Sequence, residues 1–571
     1  MDYRNRYAAW LEQVSDPALR EELTSIADDD EAIQDRFYKD LEFGTAGLRG
    51  VIGAGTNRMN VYTVGRASQG LADYLKTTGE PVSVAIGYDS RRNSDLFSRT
   101  AAAVFAANGV KVWLYPELAP TPMVSFAIRY YGCAGGVVVT ASHNPAEYNG
   151  YKAYGPDGCQ LSGAASALVT AAVEKVDLFS GIRFGDFEAS LAEGTISYIG
   201  DDCYESYYQN VTAQAIDPAV IPAAGLKVIY TPIHGTGNKP VREVLKRIGI
   251  RDIAVVKEQE CPDGNFPTAP YPNPEIRQPF ELALRMAQTV KPDLLLGTDP
   301  DADRVGIAVP DGDEYRLLTG NEVGAMLLEY ILSRRTALGT LPKAPVAVKS
   351  IVTTSICDRI AADYGCEMRS VLTGFKYIGG VIAELEKAGE ADRYVFGFEE
   401  SYGYLIGTHV RDKDAVVASM MICEMAAYYK SRGKTLMAVL NAIYARYGNY
   451  LHKTDSYAFA GAKGMAKMAE IMASLRADAP KSIGGFAVTA VSDYAAATTY
   501  DCVSGESREI SLPKENVLAY ALEGGHGVIV RPSGTEPKIK VYLTAVGATR
   551  ADAQAVQERL AADMKARLQE S

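Results

Sequence analysis

Ser142 is the residue from which the chemistry of this chain can be read. It stands in Gly135-Gly136-Val137-Val138-Val139-Thr140-Ala141-Ser142-His143-Asn144-Pro145, with Asn149-Gly150-Tyr151-Lys152 close behind. A glycine pair and three β-branched residues predict a short buried strand. Asn-Pro then forces a turn, which leaves the hydroxyl at a strand end. α/β proteins keep reactive groups there. The His143 imidazole next to it and the Lys152 amine could handle a proton or a phosphate charge, which suits phosphoryl transfer. An isolated Ser-x-Asn-Pro turn more often bonds only its own backbone, and further stretches change that reading.

The second stretch is Thr298-Asp299-Pro300-Asp301-Ala302-Asp303-Arg304, between the apolar runs Leu294-Leu295-Leu296 and Val305-Gly306-Ile307-Ala308-Val309. Carboxylates at alternate positions after a strand can converge on one hard cation, whereas on a helix they would fan around the axis. An EF-hand is excluded, because Arg304 and Pro310 stand where calcium loops need glycine and glutamate. Mg²⁺ is the expected ion, with a phosphate oxygen completing its shell.

Three more stretches could hold a substrate. Tyr394-Val395-Phe396-Gly397-Phe398-Glu399-Glu400-Ser401-Tyr402-Gly403-Tyr404 places acids and a serine on a tight aromatic loop. Such groups bond sugar hydroxyls and repel phosphate. Arg531-Pro532-Ser533-Gly534-Thr535 crowds guanidinium, hydroxyls and glycine into five positions, with Lys538 and Lys540 on one face of the next strand. That is a phosphate cradle in residue type and in backbone freedom. Phe43-Gly44-Thr45-Ala46-Gly47-Leu48-Arg49-Gly50 is a glycine-rich loop around one arginine, which would let backbone amides and Arg49 approach a phosphate.

Strands and helices must position these loops. A chain of 571 residues predicts roughly four domains. With 47% hydrophobic and 22% charged residues, its composition is that of a globular protein. The formal charge of -12 argues against a nucleic-acid surface. Met1 to Arg6 have no apolar core behind their charges, so no secretory signal is expected there. The longest apolar run, Ala415 to Met421, falls far short of the roughly 20 residues of a membrane span. The eight cysteines form no Cys-x-x-Cys pair and are expected to be buried, reduced thiols of a cytoplasmic protein.

Residues 3 to 40 show helical spacing in Tyr7, Trp10, Leu11 and Val14, and again in Leu19, Leu23 and Ile26 after Asp16-Pro17. Val82 to Tyr88, a helix from Leu96 to Asn108 and Val110 to Tyr115 predict a βαβ unit with a largely parallel sheet. The first domain is therefore set at 1–215. Leu226 to Tyr230, the turn Thr231 to Gly237 and a helix from Lys239 to Ile248 repeat the layout in a second domain, 216–320. Its proline-rich passage from Cys261 to Pro279 suggests a loop at a domain interface. A third unit, 321–449, carries Thr373-Gly374-Phe375-Lys376 and the acidic loop. The fourth, 450–571, differs in composition and ends in the cradle.

In order and spacing, Thr140-Ala141-Ser142-His143-Asn144-Pro145, Asp299-Pro300-Asp301-Ala302-Asp303-Arg304, Glu399-Glu400-Ser401 and Arg531-Pro532-Ser533-Gly534-Thr535 resemble the four signature motifs of the α-D-phosphohexomutase superfamily. Phe43 to Arg49 adds a fifth, and the likeness is greatest to the phosphoglucomutase and phosphopentomutase branch. The resemblance implies three similar α/β domains with mixed sheets and a smaller α+β C-terminal domain around a central cleft.

It also implies that Ser142 carries a phosphoryl group beside Mg²⁺ on Asp299, Asp301 and Asp303, with Ser142 itself a ligand. A sugar monophosphate would pass through a bisphosphate that turns round in the cleft. By similarity Lys152 and His143 handle protons, and Arg49 and Arg304 stabilise the transferring group. Glu399 and Ser401 contact sugar hydroxyls, and Arg531, Ser533, Gly534 and Thr535 hold the distal phosphate. Thr373, Gly374 and Lys376, with His234 as a weaker candidate, resemble further cleft residues. Some relatives have an arginine on the strand after the cradle where this chain has Tyr542, so Lys538 or Lys540 would substitute.

The expected reaction interconverts α-D-glucose 1-phosphate and glucose 6-phosphate, with glucose 1,6-bisphosphate as activator. Mannose and pentose phosphates are the alternatives within the family. Two rivals stand outside this reading. Asp301-Ala302-Asp303-Arg304-Val305 fits the pattern of transferases with an aspartate nucleophile, and a sugar-phosphate sensor would bind without turnover. A Ser-His-Asp hydrolase is disfavoured, since the chain has no Gly-x-Ser-x-Gly elbow. Oligomeric state is not legible in the sequence.

Overall fold

The computed structural model describes residues 2–44, 47–79, 81–459, 464–533 and 538–570. Four sheets follow one another along the chain. The first has the order Gly47–Val51, Tyr148–Tyr154, Gly135–Val139, Ser83–Tyr88, Lys111–Leu114, Ile196–Tyr198. It is mixed rather than largely parallel. Tyr148–Tyr154 turns back antiparallel on Gly135–Val139 directly after the Ser142 turn, and Gly47–Val51 pairs antiparallel beyond it. The doubling back lets Lys152, opposite Val138, return to the serine.

The second sheet runs Glu314–Leu318, Val305–Asp311, Leu294–Thr298, Lys227–Thr231, Asp252–Val255, and the third Glu367–Val371, Val346–Ser350, Tyr394–Glu399, Gly403–Leu405. Both combine parallel pairs with an antiparallel hairpin, and each hairpin tip bears acids: Asp299 to Asp303 in one, Glu399 and Glu400 in the other. The fourth sheet is antiparallel throughout. Its longest pairing joins Asn449–Ala458 to Lys538–Gly547, and helices Gly464–Ala477 and Arg550–Glu570 supply residues to its core.

One continuous core holds side chains from Ala85 to Tyr450 and so spans the first three sheets, while the fourth keeps a separate core around Val528, Val541 and Leu560. The predicted N-terminal helical stretch is three helices, Tyr3–Gln13, Pro17–Ser25 and Asp30–Phe37, broken where Asp16 and Asp29 cap new starts. Trp10, Val14, Leu23, Ile33 and Phe37 form a small core with Tyr62, which lies on the helix Val61–Lys76 of the first domain.

All eight cysteines are unpaired. Six are buried, but Cys261 and Cys502 are exposed, against the expectation for the set, because both lie in loops outside the packed segments. Among the described residues no helix is long and apolar enough to cross a membrane.

Candidate active site

Strand Gly135–Val139 is wholly buried and delivers Thr140, Ala141 and Ser142 to its end. Ser142 takes a left-handed backbone conformation, φ 53°, which costs an L-residue roughly 1–2 kcal/mol. Two devices hold it. Thr140 Oγ1 donates to Asp89 Oδ2 at 2.6 Å and accepts from Ser142 N at 2.8 Å. Arg91, fully buried beside Asp89, donates to the carbonyls of Ser142 (2.6 Å), Pro145 (2.8 Å), Tyr148 (3.1 Å) and Asn144. The guanidinium thus fastens both sides of the turn. Phe266 lies under it at 5.0 Å, so the proline-rich loop does reach from the second domain to the first.

The loop after Leu294–Thr298 brings Asp299, Asp301 and Asp303 together, all buried, each offering one oxygen within 4.8 Å of the others. Asp299 Oδ1 accepts from the amides of Asp303 (3.1 Å) and Arg304 (2.9 Å), which folds the loop on itself. Neighbouring domains bond to it as well. Thr121 donates through its amide to Asp301 O and through its hydroxyl to Asp301 Oδ2, both at 2.9 Å. Ala415 N reaches Ala302 O, and Val305 N reaches Tyr402 O, each at 3.1 Å. Gly235 is needed behind the loop, since a Cβ there would lie 2.5 Å from Pro300 Cα.

Ser142 Oγ lies 3.1 Å from Asp299 Oδ2 and 3.1 Å from His143 Nδ1, so the serine, the imidazole and the acidic loop meet. Arg49 reaches Asn144 Oδ1 at 3.4 Å on the exposed side. Arg304 pairs with Glu275 and lies 3.8 Å from Asp303. Burial, with Arg304 and Arg49 adding to it, pushes the His143 imidazole well below its ordinary value, which favours the neutral ring. Lys152 meets the acidic loop directly. Its Nζ lies 2.7 Å from Asp301 and 3.3 Å from Asp303, and these carboxylates outweigh burial and hold it protonated. As placed, it is an ammonium.

Lys413 was not singled out in the sequence. Its Nζ sits 3.0 Å from Asp303 and 3.2 Å from Asp412, bringing a second buried ammonium to the acidic loop from the third domain. Burial and the other two carboxylates push Asp299 well above the usual carboxylate range. For Asp301 burial acts the same way, but Lys152 overrides it and the group lies below that range. Asp301 Oδ1 and Asp303 Oδ1 are buried with no hydrogen-bond partner among the described residues. Oxygen donors of this kind, orphaned and crowded, fit a hard divalent cation.

Across from this centre, Glu399 is buried at the hairpin end and accepts from Gly374 N at 2.7 Å. Burial raises its carboxyl to about 7, with Lys413 opposing. Gly374 adopts φ 121°, which favours glycine there. Thr373 Oγ1 is buried without a partner among the described residues, and Ser401 is half-buried on the turn. Glu400 faces Ser350 (3.0 Å) and Thr353 (3.2 Å), a structural engagement.

Arg531, half-buried, donates to Glu515 at 3.1 Å and bonds Tyr542, while its Nε has no partner among the described residues. Burial lowers Lys376 and Lys540, and Arg531 lowers both further, so the three cations share one neighbourhood. Ser533 N reaches Lys538 O at 2.8 Å. Gly534 and Thr535, like Thr45 and Ala46, lie outside the described residues. His234 spends both ring nitrogens on the proline-rich loop, at Cys261 O (3.0 Å) and Thr268 Oγ1 (2.9 Å), which makes it a packing residue in this arrangement.

The chain matches, in order, the families described as phosphoglucomutase/phosphomannomutase α/β/α domain I at 40–179, domain II at 205–312, domain III at 319–447 and the C-terminal domain at 472–562. It is 36% identical over 510 residues to a phosphoglucomutase of Staphylococcus haemolyticus, covering 89% of this chain and 91% of that one. The chain belongs to the α-D-phosphohexomutase superfamily. A phosphoglucomutase of Staphylococcus aureus is 35% identical over 541 residues, 94% of each chain.

Two solved structures share the phosphohexomutase fold. The open form of the Paramecium phosphoglucomutase parafusin has a TM-score of 0.67 at 18% identity, covering 93% of this chain and 95% of its own. A phosphoglucomutase/phosphomannomutase family protein of Burkholderia thailandensis has a TM-score of 0.67 at 18% identity, covering 92% and 97%. The four-domain α/β architecture of this phosphohexomutase, three mixed sheets followed by an antiparallel one, is therefore the family's own.

Proposed function

We infer that this phosphohexomutase acts as a phosphoglucomutase, an isomerase interconverting α-D-glucose 1-phosphate and glucose 6-phosphate through phosphorylated Ser142 and a glucose 1,6-bisphosphate intermediate. The observation that carries the reading is Ser142 Oγ, 3.1 Å from both the neutral His143 ring and the acidic loop. A second anion-binding group, Arg531 with Lys376 and Lys540, belongs to the third and fourth domains. One end can transfer a phosphoryl group while the other retains the second phosphate. The full-length likeness to phosphoglucomutases supports glucose as the sugar.

In this reading His143 accepts the Ser142 hydroxyl proton as the oxygen takes a phosphoryl group from the bisphosphate, and the Lys152 ammonium gives a proton to the sugar oxygen that departs. Arg304 and Arg49 face the oxygens of the transferring group, and Lys152 donates to it when released from a carboxylate. Glu399 and Ser401 orient the ring through its hydroxyls, and Arg531, Ser533, Gly534 and Thr535 hold the distal phosphate. Asp299, Asp301, Asp303 and Ser142 would hold Mg²⁺, which when bound would neutralise charge on the transferring group. Turning the bisphosphate exchanges the two phosphates, so glucose 1,6-bisphosphate also serves as activator. The unpaired cysteines support a reducing, cytoplasmic setting.

The test is a coupled assay with glucose 1-phosphate, mannose 1-phosphate and ribose 1-phosphate, each with Mg²⁺ and trace bisphosphate. Peptide mapping after turnover with labelled phosphate accompanies it. Label on the Ser142 peptide and preference for glucose 1-phosphate are expected. Turnover that survives Ser142→Ala and is abolished by Asp301→Asn would sink the serine mechanism.

A further inference from the structure

Between the first two domains lies a cavity of about 690 Å³ that contains none of the residues assigned to catalysis or substrate binding. We propose that it is a second binding site, for the non-reducing end of a neutral glucan or a comparable uncharged oligosaccharide, and that its occupancy is felt at the acidic loop. This goes beyond the isomerase reading and does not depend on it.

The chemistry of the walls selects the ligand. Tyr88, Tyr204 and Tyr208 line the cavity, with Met123 and several prolines between them. Two of these rings are held: Tyr204 packs edge-on against Tyr115 at 5.4 Å, and Tyr208 lies under Arg247 at 4.8 Å. Fixed phenol faces stack on the apolar face of a sugar ring. Burial raises all three phenols and the Glu117 carboxylate raises them further, so they are neutral hydrogen-bonding groups.

Two buried hydroxyls in the same wall lack partners. Tyr204 Oη and Thr236 Oγ1 have none among the described residues, and both atoms are closed to solvent, so a ligand reaches them only when the wall shifts. Polar atoms buried like this normally find a partner. Asn238, Glu117 and Asp201 add an amide and two acceptors suited to sugar hydroxyls. The formal charge of the lining is two carboxylates against one ammonium, Lys239, which is itself paired with Glu117. That balance disfavours a phosphate, separating this ligand from the substrates of the cleft.

The walls also touch the metal loop. Thr236 N donates to Pro300 O at 2.8 Å, and Thr121, next to the lining residue Pro120, bonds Asp301 twice. A ligand that shifts either wall displaces Asp301 with it.

The experiment titrates maltose into the full-length enzyme saturated with Mg²⁺ and glucose 1,6-bisphosphate, by saturation-transfer NMR and calorimetry. Maltose should bind with the cleft filled. Tyr204→Phe should weaken it about fivefold and Tyr208→Leu about tenfold, with isomerase activity in the absence of maltose unchanged. Strictly competitive displacement of maltose by the bisphosphate, equal binding by both variants, or no maltose binding, whether or not choline binds through Tyr204, would each overturn the site. Binding that leaves the isomerisation rate unaltered would overturn the link to Asp301. Failure of the bisphosphate itself to bind would count against the phosphoglucomutase reading and leave the maltose titration fully interpretable.

Discussion

Replacing Arg91 by methionine tests whether the serine turn is held from beneath. The substitution keeps the apolar stem but removes the partner of Asp89, whose side chain is 0% exposed. Breaking a buried pair from one side costs about 3–5 kcal/mol. Burial already pushes Asp89 upward, and Arg91 is the chief opposing influence, so without it the carboxyl takes up a proton and the loss falls toward the lower figure. The double variant Asp89→Asn/Arg91→Met, with no orphan charge, should recover roughly half.

The second consequence is kinetic. Four carbonyls lose their donor, including that of Ser142 itself. A displacement of about 1 Å at a reacting atom costs on the order of 100-fold. kcat should fall by about that factor, whereas the KM should change little if the Arg531 group holds the distal phosphate as proposed. Arg91→Lys should lie between, because an ammonium cannot span four carbonyls. Melting curves and a coupled isomerase assay measure both effects. A methionine variant with kcat within about twofold of wild type and an unmoved Tm would refute the claim that this guanidinium positions the nucleophile.

Lys413→Met should destabilise the metal-free enzyme more than the enzyme in Mg²⁺, since the ion replaces the lost compensation at Asp303; equal losses in Tm would argue against a shared charge balance. Asp301→Asn should abolish the rise in Tm on adding Mg²⁺, and an undiminished rise would remove Asp301 from the ligand set. Glu399 gives a pH test. Its folded value of about 7 lies above the ordinary 4.5, so its favourable contribution is complete below pH 4.5 and is lost as pH rises through 7. The loss amounts to about 3 kcal/mol. Glu399→Gln should therefore gain several degrees in Tm over wild type at pH 8 relative to pH 5. Parallel pH curves would show that Glu399 does not titrate there.

Much of the strand framework is legible locally. The run Gly135 to Val139 is β-branched and is a buried strand, and Leu294 to Thr298 behaves alike, because a strand buried on both faces writes itself as continuous apolar sequence. The direction of pairing is not written in this way. Val137 pairs parallel with Ile86 and antiparallel with Ala153, and nothing in its own composition distinguishes the two.

The acidic triplet is visible because its spacing is local, while its compensation is not. Lys152 lies 149 residues from Asp301, and Lys413 comes from the loop between Gly403–Leu405 and the helix Ala415–Lys430 of the third domain. The alternation Arg411-Asp412-Lys413-Asp414 within an apolar region was the available sign that Lys413 is buried and paired. Asp89-Ser90-Arg91 after a strand was the corresponding sign for Arg91.

The order of residues along the chain determined which groups could react and which strands would carry them, because hydroxyl, carboxylate and turn propensities are properties of a few adjacent positions. Folding decided their protonation and their company. A carboxylate or amine takes its charge state from burial and from neighbours within a few ångströms, and here those neighbours arrive from three domains. That is why the sequence leaves Lys152 as a group for a proton or a phosphate charge, while its two carboxylate neighbours in the structure favour the ammonium.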